Sequence, residues 1–140
     1  MRRNPALLAL VLLVGCSHSQ LQDAGDKMVR VERATEGVVT GVVAFKDATK
    51  GDCIEQNLAT EGERAKCVEK ALATVKVSKV GVAAVRAALV TFWELYPVLE
   101  AKLAGGGRLG AEDLAALASA ATGVAQAYQT LITEVQEAKK

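Results

Sequence analysis

The sequence predicts an all-α fold: an antiparallel helical bundle of three long helices plus one short one, with a disulfide across a helix hairpin. Three observations carry this. Apolar residues recur in alternating steps of three and four over long stretches, which is the spacing of one helix face. The one dense glycine cluster, "AGGGRLG" from Ala104 to Gly110, separates two such stretches. No stretch alternates apolar and polar residues as a half-buried strand would, and no internal repeat is present.

The first long helix is expected from Leu21, with a seam of Leu21, Ala24, Met28, Val31, Thr35, Val38, Val42 and Phe45. Its later part, "EGVVTGVVAF", is rich in glycine and β-branched residues, both weak helix formers. Gly37 and Gly41 stand one turn apart there, which suits close approach of a neighbouring helix. Asp47 to Gly51 reads as a turn. A short helix is then expected over Cys53 to Ala59, because Asp52 and Glu55 have capping-box spacing, as do Thr60 and Glu63.

The second long helix is expected over Glu61 to Ala104, with Val68, Leu72, Val75, Lys79, Val82, Val85, Leu89, Phe92, Tyr96, Leu99 and Leu103 in its seam. At 1.5 Å per residue it would be about 66 Å long. Pro97 cannot donate to the carbonyl of Trp93 and Gly81 weakens the helix, so a kink or break is expected at these points. "VGVAAVRAALVTFWELYPVL", from Val80 to Leu99, is apolar nearly all round, as suits the central helix of the bundle. Arg86 and Glu94 within it oppose a transmembrane reading. The final helix is expected from Ala111. Leu109 and Leu114 stand at hydrophobic-staple positions, and its seam is Leu114, Leu117, Ala121, Val124, Tyr128, Leu131, Val135 and Ala138.

The amino-terminal residues have a different character. Met1 to Pro5 is short and cationic, Ala6 to Val14 contains only Ala, Leu and Val, and the run stops at Leu13-Val14-Gly15-Cys16 before turning polar. The apolar run is well short of the roughly 20 residues that span a bilayer, and the pattern is that of a secretory signal peptide. The last four residues resemble the lipobox of bacterial lipoprotein precursors. The resemblance covers residues 1–17 and implies cleavage between Gly15 and Cys16. It also implies a thioether-linked diacylglycerol on the Cys16 thiol and a further acyl chain, palmitate-like, on the new amino terminus. Ser17 is the type associated with sorting to the outer membrane. Residues 1–15 would then be the cleaved signal peptide, 16–20 the lipidated cysteine and a polar tether, and 21–140 the bundle.

The chain holds 17 basic and 16 acidic residues, and loss of Arg2 and Arg3 leaves 15 against 16. This near-neutral balance without a basic cluster argues against nucleic acid and against electrostatic membrane targeting. Lipid would supply the attachment, since two or three acyl chains hold stably where one binds marginally. With Cys16 assigned to lipid, Cys53 and Cys67 remain, each seven residues from Thr60. Helices folded back at Thr60 would bring them level, and a disulfide closing such a loop contributes about 3 kcal/mol. A redox-active or metal-binding pair is the weaker alternative: the spacing is not C-x-x-C, and the one histidine is His18.

No cofactor or metal is expected, and catalysis has little support. The one histidine, His18, falls in the tether beside the lipid site, so no histidine-based triad is expected in the bundle, and HExxH, which needs two histidines, is absent. The glycines at 105–107 do not follow a strand and lack the Lys-Ser/Thr of a P-loop. Phe92, Trp93 and Tyr96 are expected first as core packing; the alternative is a partner patch, since Trp and Tyr are frequent interface anchors. The functional expectation is a non-enzymatic, lipid-anchored envelope protein on the periplasmic side of the outer membrane, with an envelope protein as partner. The alternatives are a phage- or plasmid-type exclusion or immunity lipoprotein and a membrane-perturbing lysis accessory. The seams that build one bundle would also serve assembly with further copies.

Overall fold

A computed structural model describes residues 5–56 and 58–140, with the backbone alone for residues 5–17. Met1 to Asn4, and the thiol of Cys16 on which lipidation turns, therefore lie outside the described residues. Three helices account for the fold: α1 over Pro5–Glu55, α2 over Glu61–Ala104 and α3 over Ala111–Lys139. They run up, down and up. α2 packs extensively on both neighbours, while α1 and α3 meet over a smaller surface. The seams expected for α1 and α3 are the ones that turn inward, with Leu21, Met28, Val42, Leu117, Val124, Leu131 and Val135 buried.

The expected fourth, short helix does not exist as a separate element. α1 continues through Asp47 to Gly51 and takes up Cys53 and Glu55 as its last turn. The seam explains why: Phe45, Thr49 and Cys53 continue at steps of four, and all three turn toward the core side. One glycine opposes this by about 1 kcal/mol, too little to outweigh continued packing and a covalent crosslink. Asp52 and Glu55 therefore cap nothing. Thr60 does cap α2, its hydroxyl accepting from the Glu63 amide at 3.1 Å. Residues 16–20, expected as a tether, also belong to α1, with His18 to Gln20 exposed.

α2 runs unbroken through both Gly81 and Pro97. Gly81 is a contact point: a Cβ built there would stand 2.6 Å from Leu131 Cδ1 and 3.3 Å from its Cα, so α3 sits directly on the glycine. The first half of α2 also presents a different face from the expected one. Leu72 and Lys79 are exposed, and Ala71, Thr74, Ser78 and Gly81 are buried. Small residues let helices approach closely, and the hydroxyls bond within their own helix, Thr74 to the Lys70 carbonyl at 2.7 Å and Ser78 to Val75 at 2.9 Å. Conversely, Gly37 and Gly41, expected to seat a neighbouring helix, face open space. That role belongs to Gly25, where a Cβ would lie 2.9 Å from the Tyr96 ring.

α2 ends in a Schellman motif, with Gly106 N–H donating to Leu103 (3.2 Å) and Gly107 N–H to Lys102 (3.0 Å). Gly106 has φ +76°, and a Cβ on Gly107 would strike the Lys102 carbonyl. Both positions require glycine.

Candidate functional site

Two regions hold the residues singled out by sequence: the α1–α2 interface around Trp93, and the hairpin end carrying the cysteines. At the interface, Phe92 is fully buried at the bundle centre, so the candidate partner patch loses one of its three aromatics to the core. Trp93 and Tyr96 are half-buried. The three rings form one cluster, with centroids 5.0 Å apart for Phe92–Trp93 and 5.3 Å for Trp93–Tyr96. Trp93 Nε1 donates to Glu32 Oε1 of α1 at 2.6 Å, which fixes the indole against the neighbouring helix. Tyr96 rests on Gly25. Burial, with the carboxylates of Glu100 and Asp26 nearby, raises the phenol above its ordinary pKa. The seam spacing gives Tyr96 its inward place. The roles of Glu32 and Gly25 have no signal in the sequence, because each depends on how α1 and α2 slide against one another.

Beside this cluster an open groove of about 560 Å³ runs between α1 and α2, with Trp93, Leu89, Val90 and Val39 among the residues lining it. Glu32, Glu36, Glu94 and Arg86 also line it. Thr35 also lines it, its hydroxyl donating to the Val31 carbonyl of its own helix at 2.8 Å. Among the described residues no three His, Cys, Asp or Glu side chains come together as a metal site.

At the other end Cys53 and Cys67 are bonded, with Cα atoms 5.8 Å apart. The disulfide joins the end of α1 to the start of α2. α3 does not reach it: Lys139 Nζ lies 5.2 Å from the centre of the Phe45 ring, so α3 ends level with Phe45. Beyond that point the molecule is a two-helix hairpin, its tip exposing Ile54.

The opposite end is closed by Lys102 and Asp113, whose Nζ–Oδ1 distance is 2.7 Å, while Asp113 Oδ2 accepts from the Gly110 amide at 3.1 Å. The lysine and the amide together hold the Asp113 carboxyl below the usual carboxylate range. Cys16 and Gly15 lie on α1 past this end: with Gly25 against Tyr96, the last residue of α2 is level with about residue 17 at equal rise per residue. No protein-family model matches the chain, and neither a curated protein nor a solved structure matches it.

Proposed function

We propose that this protein is a lipid-anchored, non-catalytic module of the bacterial envelope. In this reading Cys16 holds it to the periplasmic side of the outer membrane, and the bundle serves as the contact surface. The observation that carries the reading is the run Leu13-Val14-Gly15-Cys16 directly after a cationic start and a short apolar segment. The placement of the cut supports it. Cleavage before Cys16 removes the part of α1 that extends past α2, and Leu21 is the first buried side chain among those described. Only five helical residues, about 7 Å of rise, would then separate the anchor from the core. So short and stiff an attachment holds the bundle against the membrane, where confinement raises its effective concentration toward envelope partners.

The test is fractionation of cells expressing the wild type or Cys16→Ser, with mass spectrometry of the product and in-place crosslinking to capture the partner. Wild type should appear in the outer membrane at the mass of residues 16–140 plus acyl chains, with one dominant crosslinked protein. Cys16→Ser should accumulate unprocessed. Identical mass and location for the two would refute the anchor.

A further inference from the structure

Val85 is wholly buried and marks the side of α2 that faces the core. At 100° per residue, the opposite side of the helix carries Lys76, Val80, Ala83, Ala87, Val90 and Glu94. All six are exposed, Val80 and Val90 by 65% and 57%. The row is symmetric about Val85. Ala83 and Ala87 are equidistant from it, as are Val80 and Val90. Farther out, Leu72 and Val98 are also equidistant and are each 53% exposed. Within this row the charged ends differ, Lys76 at one and Glu94 at the other; flanking it, exposed Lys79 is mirrored by Thr91 and exposed Glu69 by Ala101.

A face of this kind is complementary to itself under a two-fold axis, which pairs residue i with j and j with i. Antiparallel contact of two copies sets valine on valine and alanine on alanine, with each Lys76 on the other copy's Glu94. Parallel contact would set lysine on lysine and glutamate on glutamate, so the charges select the antiparallel register. Alanines at the centre allow the helix axes to approach to the short end of the usual 8–10 Å range. On α1, exposed Val39 lines the same groove as Val90, and exposed Val43 lies one turn further along, so the apolar surface extends beyond α2. Exposed apolar surface of this extent marks an interaction site.

We infer that the protein self-associates as an antiparallel, two-fold dimer through the outer face of α2, with Lys76 of each copy paired to Glu94 of the other. The dimer stands independently of the lipid anchor. It does set the two Cys16 positions at opposite ends, so that a pair anchored in one membrane lies along it.

The test uses the full chain carrying Cys16→Ser in mild detergent, with mass measured by sedimentation. A dimer is expected, and Lys76→Glu should raise its Kd about tenfold or more by turning both ion pairs repulsive. The double exchange Lys76→Glu with Glu94→Lys should restore the dimer. Under mild oxidation, Val80→Cys combined with Val90→Cys should crosslink two copies. Either change alone should not, because like positions stand about 15 Å apart along the axis. A monomer at about 100 μM, indifference to the charge exchange, or crosslinking by the single cysteines as readily as by the pair overturns the dimer. If the chain is monomeric and anionic phospholipid vesicles shield the Val90→Cys thiol from a water-soluble maleimide, the face belongs to lipid instead.

Discussion

Glycines in this protein have opposite roles according to what faces them. Gly81 carries α3 on its surface, and any side chain there must displace Leu131. Gly81→Val should cost about 1–3 kcal/mol through overpacking. Gly37→Ala and Gly41→Ala meet only open space inside a helix, so each should stabilise by roughly 0.5–1 kcal/mol. Urea melts of the three variants should show shifts of opposite sign. Phe92 is the largest fully buried side chain, and Phe92→Ala should cost about 3–5 kcal/mol by the same measurement. Trp93 is the sole tryptophan, so its fluorescence reports the α1–α2 contact. Trp93→Phe removes the bond to Glu32 and should cost about 1–2 kcal/mol.

Among the elements, α3 depends on its first turn and the α1–α2 hairpin on its crosslink. Asp113 both caps α3 and binds Lys102 across the loop. Its carboxyl titrates below its unfolded value, so its contribution is present at neutral pH and disappears as pH falls through the folded pKa. The difference in Tm between wild type and Asp113→Asn should therefore be largest near neutrality and shrink as pH falls below the ordinary carboxylate pKa of about 4. Tyr96 acts in the opposite sense: with its pKa raised, its contribution holds below about pH 10 and is lost in stronger alkali. The persistence of α1 through Asp47–Gly51 shows how little a single glycine weighs against a continuing seam. Where no seam continued, at Ala104 to Gly110, three glycines and a Schellman motif did end a helix.

At the scale of the whole molecule, the three helices differ greatly in length: about 76, 66 and 44 Å for α1, α2 and α3. The bundle therefore has a three-helix body and a two-helix tip beyond Phe45. The body is held by buried apolar side chains, the tip chiefly by Cys53–Cys67. Reduction, or Cys53→Ser with Cys67→Ser, should cost about 3 kcal/mol. Proteolysis and hydrogen exchange should quicken first within residues 46–72, while Trp93 fluorescence stays native. Simultaneous loss of both signals would mean that tip and body fold as one unit.

Periodicity, caps and glycine stops determined that the chain is helical, where α2 begins and ends, where α3 begins and which faces of α1 and α3 turn inward; spacing about Thr60 determined that Cys53 pairs with Cys67. These follow from local rules: caps and glycine stops act within a turn, and a strongly apolar face has one way to leave water. Only the tertiary structure decided the rest. The burial of Ala71, Thr74 and Ser78 over Leu72 depends on how close α2 comes to its neighbours, and side-chain size there outweighs apolarity. The seat of Tyr96 on Gly25, the bond from Trp93 to Glu32 and the overhang of the tip depend on the sliding register of whole helices. That register is set by the sum of many contacts between residues far apart in sequence, which no local spacing encodes.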